Sequence, residues 1–546
     1  MTDHRPAAKI AEAAPAPWTN HADIVAEVDD LRRRFSAPEL SLAEVLCDAH
    51  PAADTAFICV DESFEPYRLS YGELADRSRR LASLLRDRGI GRGSRVGVLM
   101  AKTRQLPVVL VALWRLGAVE VPLFTAFAGP AIATRVNGAG AGLIVADESQ
   151  QPKLTGIDVP VLGTGPGLDL EIDAQEPIEV AEAVGGDGLF LQLYTSGTTG
   201  TPKAVGVSGS ALAAFVAYMR YGLGVTDDDV FWNAADPGWA YGLYYGIVGP
   251  LAIGRPNVLF AGNFTAESTA RLLDALQVTN LAAAPTVYRA LKKSGVMPQR
   301  PLRAASSAGE PLTADVVDWA PEALGVVVRD HWGQTEQGMA IGNAWDERLR
   351  TEVAPRSMGQ ALPGFVVGTV DESIALSVDE SPLMWFSGYV DAPEQTRERF
   401  TPDGDWYLTG DVGRADGADF FFASRDDDVI LAAGYRIAPF DIESILVADA
   451  AVIEAAVVGR PDEIRGEVIE AFVVIDEAAE ERAGRVAEEG AAGEGAAGED
   501  LQSRLQAAVR SMYGAHAYPR RVHVVAELPK TPSGKVQRFV LRDMEV

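Results

Sequence analysis

The strongest constraint on this chain is a rhythm. Through its first three-quarters, short apolar runs at 95–100, 142–147, 189–194, 258–261, 281–284 and 326–330 alternate with amphipathic stretches such as 266–276 and 313–324. The runs are of strand length, and strands separated by helix-length connections pair in parallel. An α/β fold with largely parallel sheets is therefore expected. From about 351 to 408 the pattern changes to short strands with Gly, Pro and Asp turns, which predicts a small β-rich subdomain. After Arg425 a new α+β pattern follows, with runs at 429–431, 441–447, 453–458, 470–475, 501–512 and 522–525. A chain of 546 residues exceeds what one core supports. The expected division is an N-terminal extension over 1–40 and a large domain of parallel and mixed sheets over 41–424. A hinge over 425–428 and a small mobile α+β domain over 429–546 follow. Within the last, 476–500 is mostly Ala, Gly and Glu, with nine acidic and two basic residues. It buries too little apolar surface to offset its ordering entropy, and a disordered insertion is expected there.

Charge narrows the function. Lys and Arg number 48 against 77 Asp and Glu, a formal charge of −29. Such a chain offers no basic face for a phosphate backbone, so nucleic acid is excluded as a partner. Docking on anionic lipid is disfavoured for the same reason. No apolar run is long enough to span a bilayer, so stable membrane insertion is not expected. Two cysteines, Cys47 and Cys59, make no disulfide framework, and the N-terminus lacks the apolar stretch of a signal peptide; a cytoplasmic protein is expected. The six histidines form no metal-binding spacing, and no Gly-x-Ser-x-Gly elbow occurs. Gly163-x-Gly165-x-Gly167 is read as a turn not followed by a helix, rather than a dinucleotide fingerprint.

The densest chemical signal is Tyr194-Thr195-Ser196-Gly197-Thr198-Thr199-Gly200-Thr201-Pro202-Lys203, entered from an apolar strand. Glycines let backbone N–H groups converge, hydroxyls add donors, and Lys203 adds charge, a combination suited to a polyphosphate. The spacing is not that of a Walker A loop.

Here the chain resembles a family. Ser196–Lys203 is similar to the phosphate loop of the adenylate-forming superfamily, and further motifs follow in that family's order. They are Ser307-Ala308-Gly309-Glu310-Pro311, Asp330-His331-Trp332-Gly333-Gln334-Thr335-Glu336, Tyr407-Leu408-Thr409-Gly410-Asp411, Ser424-Arg425-Asp426-Asp427-Asp428, and Leu528-Pro529-Lys530-Thr531-Pro532-Ser533-Gly534-Lys535. The resemblance implies that Thr195 to Gly200, Lys203, Gly309, Glu310, Pro311, Asp330 to Thr335, Asp411 and Arg425 bind ATP or AMP. It further implies that Glu336 holds Mg²⁺, that Thr335 touches the α-phosphate, that Asp411 accepts both ribose hydroxyls, that Asp427 is the pivot, and that Lys535 is catalytic. Elementary electrostatics agrees with these roles. A carboxylate attacking a phosphate meets like-charge repulsion, which a compact ammonium and a metal-bound polyphosphate relieve.

The stretch through Ala433, Gly434, Tyr435 and Arg436, with Arg465, is similar to the CoA-contacting positions of medium-chain acyl-CoA synthetases. Arg510 and Tyr518 match only by spacing. No carrier-protein domain follows Lys535, so the expected function is an AMP-forming acid–CoA ligase that uses ATP, Mg²⁺, CoA and a small carboxylic acid. The alternative is an acyl-adenylate synthetase that loads a separate carrier protein. For the acyl pocket, Trp239, Tyr241, Gly242 and Gly333 are expected, with Tyr244 and Tyr245 balanced between pocket wall and core. Gly333 stands where acetyl-CoA synthetases usually carry a Trp, so space for a medium-chain or aryl acid is expected.

Overall fold

A computed structural model describes residues 13–195, 202–432, 435–462, 466–476, 501–514, 517–530 and 535–544. The insertion beyond Asp476, the loop 196–201, and Ala433, Gly434 and Arg465 lie outside the described residues, as do the side chains of Asp427, Tyr435 and Arg436.

The alternating part of the chain builds two sheets. A six-stranded sheet runs in the order Val161–Gly163, Leu143–Ala146, Arg95–Leu99, Val119–Pro122, Leu189–Thr195, Lys203–Ser208. All its pairings are parallel except the last, an antiparallel hairpin. A nine-stranded sheet has a parallel centre of Ala304–Ala308, Asn280–Ala283, Phe231–Asn233, Asn257–Phe260 and Thr55–Val60. Val328–Gln334 extends that centre in parallel, and Gly338–Gly342 then pairs with it antiparallel. Local signals set the connecting helices. Ser70 accepts a hydrogen bond from Glu73 N at the start of helix Tyr71–Asp87, and Thr265 and Ser268 form a capping box before Ala266–Ala275. Both satisfy N–H groups that a helix end leaves open. Helix Gln105–Arg115 is buried on all sides. Its one charge, Arg115, is therefore paired, with both guanidinium arms on Asp48 at 2.6 and 2.7 Å.

The N-terminal extension is no appendage over its described part. Helix Ala22–Phe35 buries Ile24, Val28, Leu31 and Phe35 in the main core, and the Trp18 indole donates to Phe365 O at 2.9 Å. The β-rich part is a four-stranded antiparallel sheet, Val367–Val370, Ser373–Ser377, Trp406–Asp416 and Asp419–Arg425. The turn reading of Gly163-x-Gly165-x-Gly167 is corrected in one respect. Helix Pro166–Asp173 does follow, with Pro166 at its first position, where a missing N–H costs nothing. Among the described residues no helix is long and apolar enough to cross a membrane.

After the short turn Asp426–Asp428, the C-terminal region forms its own sheet. Tyr435–Ile437, Ile430–Ala432, Gly466–Ile475 and Val452–Asp462 are antiparallel, and Arg521–Val524 adds in parallel. It has a separate core around Ile442, Leu446, Val457, Ile469, Leu505 and Val509. Asp428 is no free linker carboxylate: Arg538 and Arg542 bind it at 3.1 and 2.9 Å.

Candidate active site

Parallel strands deliver their loops to one edge, and the motifs at 307–311 and 330–336 lie there. Ala304–Ala308 runs beside Val328–Gln334 with Ser307 opposite Asp330 and Ala308 opposite His331. The turn Gly309-Glu310-Pro311 and the run to Glu336 thus leave neighbouring strands at the same end. Thr195 pairs with Lys203, the two residues that flank the hydroxyl-rich loop, in an antiparallel strand pair. An isolated bridge from Val205 to Tyr389, with Val390 N donating to Ala204 O at 2.9 Å, ties that pair to Tyr389. Lys203 Nζ consequently stands 5.1 Å from the Tyr389 ring centroid.

Two carboxylates organise the floor. Glu336 is 6% exposed and accepts from Tyr389 Oη at 2.8 Å, and Arg399 Nε donates to the same phenol oxygen at 3.2 Å. Asp411 is 4% exposed and accepts from three donors. Arg425 Nη1 lies at 2.7 Å from its Oδ1, and Trp332 Nε1 and Gln334 Nε2 each lie at 3.0 Å from its Oδ2. The first contact follows from sheet register, because Asp411 and Arg425 are cross-strand partners. A carboxylate offers about four acceptor sites. At most one remains on Asp411, so the expectation that it accepts both ribose hydroxyls is reduced to one.

Cations converge around this floor. Burial and then the Arg399 charge lower the Lys203 ammonium pKa, with Glu336 and Arg425 also felt. Lys535 is solvent-reachable but protein-walled. Withdrawal from bulk water and then the Arg425 charge lower its pKa, opposed by Asp411, Glu310 and Glu336. Lys203, Arg399, Arg425 and Lys535 thus share one field with Glu310, Glu336, Glu398 and Asp411, four cations set among four carboxylates in a chain of charge −29. Four cations gathered by the tertiary structure are what a polyanion needs at short range. Arg399 and Tyr389 carried no local sequence signal; no motif surrounds them, and tertiary packing alone brings them in.

The residues expected to bind nucleotide separate into two groups. Gly309, Glu310, Pro311 and Thr335 are open or half-buried at the strand ends. Arg289 Nη2 holds Glu310 Oε2 at 2.9 Å, while Ser307 Oγ and Glu310 Oε1 are buried without hydrogen-bond partners. Orphaned acceptors and donors at this turn fit a nucleoside. The second group braces the first. The Gln334 amide is spent on Asp411, Thr409 O and Tyr407 Oη, so Trp332 and Gln334 orient Asp411. The expectation that His331 binds nucleotide is corrected. It is 2% exposed, its Nε2 lies 3.1 Å from Asn343 O, and its Nδ1 lies 2.7 Å from Tyr218 Oη. Nε2–H must donate to the carbonyl, so Tyr218 donates to Nδ1, and both ring nitrogens are used. Burial pushes the imidazole down to about 4, consistent with a neutral ring. The Asp330 carboxyl is pushed up to about 8 by burial, against backbone N–H groups of Leu312 and His331 that favour its charged form.

Among the described residues no group of three or more His, Cys, Asp or Glu could hold a metal ion. Mg²⁺ takes one or two carboxylates and completes its shell with substrate phosphates and water. Glu336 is a buried carboxylate fixed through Tyr389 and fits such a role.

The acyl-pocket expectations are partly overturned. A Cβ on Gly333 would fall 2.1 Å from Gly338 O and 2.6 Å from Met339 Cα, and one on Gly242 would fall 2.2 Å from Asp236 O. The space expected at Gly333 is filled by main chain, and main chain also closes on Gly242. Tyr244 and Tyr245 belong to the core and brace the 335–339 turn. Tyr244 Oη donates to Thr335 O at 3.0 Å, and Met339 N donates to Tyr245 Oη at 2.9 Å. Trp239 and Tyr241 remain as half-buried aromatic surface. Trp239 packs on Phe124 and Phe127 at 5.3 and 5.4 Å between centroids, both missed in the sequence. On the C-terminal domain, Arg510 lies over the Tyr518 ring at 3.9 Å and Arg520 at 4.3 Å.

Comparison with known proteins agrees with this geometry. Residues 44–381 match the AMP-binding enzyme family, and 441–535 match the AMP-binding enzyme C-terminal domain. The chain is 33% identical over 526 residues to the mitochondrial acyl-coenzyme A synthetase ACSM4 of Homo sapiens, covering 90% of this chain and 87% of that one. It is 30% identical over 514 residues to the acetyl-coenzyme A synthetase of Bacillus subtilis (strain 168), covering 88% and 85%. The crystal structure of a Brucella canis acyl-CoA synthetase superposes with a TM-score of 0.72 at 37% identity, covering 96% and 98%. Motif order, strand-end geometry and these likenesses agree: the chain belongs to the AMP-binding enzyme family, as an AMP-forming acyl-CoA synthetase that uses ATP, Mg²⁺ and CoA.

Proposed function

We propose that the protein activates a medium-chain fatty or aryl carboxylic acid, and that the described cleft performs the adenylation step. The observation that carries this reading is the convergence of Lys203, Arg399, Arg425 and Lys535 on Glu336 and Asp411. In it, the turn at 309–311 takes the adenine and Asp411 takes one ribose hydroxyl. Thr335 and the loop 195–200 contact the phosphates. Glu336 holds Mg²⁺, which when bound would neutralise phosphate charge. Lys535 lies between the incoming carboxylate and the α-phosphate, offsetting the repulsion between two anions. Pyrophosphate leaves as the acyl–O–P bond forms. The C-terminal domain then turns about Asp427, withdraws Lys535, and brings Ala433, Gly434, Tyr435, Arg436 and Arg465 to the thiol channel. Arg510 and Tyr518 offer a cationic, aromatic surface suited to the phosphates or adenine of CoA.

The acid is assigned from two aromatic surfaces, Trp239 packed on Phe124 and Phe127, and the half-buried Tyr241, which reward apolar area beyond a methyl group. A cytoplasmic location is proposed from the thiols, since Cys47 and Cys59 are both buried and unpaired. The test is acid-dependent pyrophosphate release across chain lengths and aryl acids, with CoA as acceptor. Hexanoate to decanoate, or benzoate-type acids, should give the highest kcat/KM; acetate as the best substrate would overturn the acid assignment.

A further inference from the structure

One contact joins the two domains away from the reacting groups. Arg356 Nη2 donates to Asp441 Oδ1, and its guanidinium carbon lies 5.5 Å from the Phe440 ring centroid. Phe440 in turn meets Phe422 of the large domain, edge to face, at 6.2 Å. Tyr513 hydrogen-bonds the same carboxylate.

Both ends of this contact are fixed. Arg356 has φ +64°, a left-handed backbone that L-residues rarely adopt. Non-glycine residues persist there when their surroundings over-determine them. The surroundings are Ser357 and the strand of the nucleotide motif. Asn343 Nδ2 lies 3.0 Å from both Asp330 O and Ser357 O, and Ser357 Oγ donates to Asp419 Oδ1 at 3.1 Å. On the other side, Asp441 belongs to helix Pro439–Leu446. Glu443 of that helix accepts both hydrogen bonds of Arg538 Nη2, at 2.8 and 2.9 Å. Arg538 is three residues beyond Lys535. A short rigid path thus runs from the Asp330 strand through Arg356 and Asp441 to the segment that presents Lys535.

The seam around the contact is loosely filled. A cavity of about 60 Å³ lies between Leu312, Asp315 and Arg356 on one side and Phe440, Ser444 and Ala448 on the other. Close-packed interfaces leave few such voids. An ion pair beside a void is an interface that can part without tearing a core.

We propose that Arg356 and Asp441 are positioning residues: their ion pair latches the C-terminal domain with Lys535 in the adenylation cleft, and the latch opens before the thiol step. The inference rests on the reading above, in which one site runs both steps. Asp441 also lies in the first helical turn, where a carboxylate is favoured by the helix dipole whatever it faces. The charge-swapped pair separates that role from the latch.

Two half-reactions provide the test. Acid-dependent ATP–pyrophosphate exchange reports adenylation, and single-turnover formation of acyl-CoA from preformed acyl-adenylate reports the thiol step. Arg356→Ala and Asp441→Asn should each lower exchange about three- to tenfold, the scale of a partly exposed ion pair with a cation–π contact. The thiol step should be unchanged or faster. The pair R356D/D441R should recover exchange above either single reversal. Equal loss in both half-reactions, no loss in exchange, or failure of the swapped pair to recover would each overturn the latch. Should the wild type transfer no acyl group to CoA, the two-step reading fails, while exchange and charge-swap recovery still decide the latch.

Discussion

Replacing Asp411 by Asn keeps the shape of the side chain and removes its charge. The best amide orientation keeps the oxygen toward Trp332 and Gln334, both at 3.0 Å, and turns the NH₂ toward Arg425. The charge-assisted bond at 2.7 Å is then lost. Such bonds contribute about 1.5–3 kcal/mol, and partial exposure of Arg425 reduces the stability cost to about 1–2 kcal/mol. The larger effect falls on the nucleotide. Three of about four acceptor sites on Asp411 are filled by protein donors, so one is left for ribose. A hydroxyl donating to that carboxylate contributes a similar ~1.5–3 kcal/mol, roughly 10- to 100-fold in kcat/KM. Pyrophosphate exchange with ATP, 2′-deoxy-ATP and 3′-deoxy-ATP measures this directly. Wild type should discriminate strongly against one deoxy analogue and weakly against the other. Asp411→Asn should lose activity with ATP and lose that discrimination. A variant that discriminates as wild type does, or a wild type equally impaired by both analogues, would refute the acceptor count.

Two further outcomes follow from named groups. Lys535→Ala should lower adenylation about 100- to 1000-fold while leaving the thiol step from preformed adenylate close to wild type; equal loss in both would remove Lys535 from its assigned step. Glu120, on strand Val119–Pro122, is 2% exposed, with Oε2 unpartnered, and burial pushes its carboxyl up to about 8. A raised carboxyl pKa contributes its full stability below the ordinary glutamate range and loses it as pH rises through the folded value. The gain of Glu120→Gln over wild type in urea unfolding should therefore grow between pH 5 and 9, toward an upper limit of about 5 kcal/mol. A pH-independent difference would refute the buried, partnerless carboxyl.

Much of the fold was legible because strand and helix periods are local. The runs at 142–147 and 281–284 became the strands Leu143–Ala146 and Asn280–Ala283, and the amphipathic stretch 266–276 became the helix Ala266–Ala275. Motifs at 307–311 and 330–336 were legible for a related reason: a chemical constellation confined to consecutive residues survives without tertiary information. Where the reading failed, the cause was contact across the chain. Gly333 reads as an empty space, yet Gly338 and Met339 press their backbone on it. His331 reads as a nucleotide ligand, yet Tyr218 and Asn343 consume its nitrogens. Sequence spacing reveals neither, because the partners arrive from other strands and helices.

By itself the sequence determined the α/β class, the order of the motifs and the family. Each is written in periodicity or in contiguous residues. Only the tertiary structure decided that Tyr389 fixes Glu336, that Arg399 stands beside Lys203, that Asp411 has one acceptor site to spare, and that Arg356 reaches Asp441 across the domain seam. Those facts depend on which side chains share a volume. Close packing fixes that volume from residues far apart in the chain.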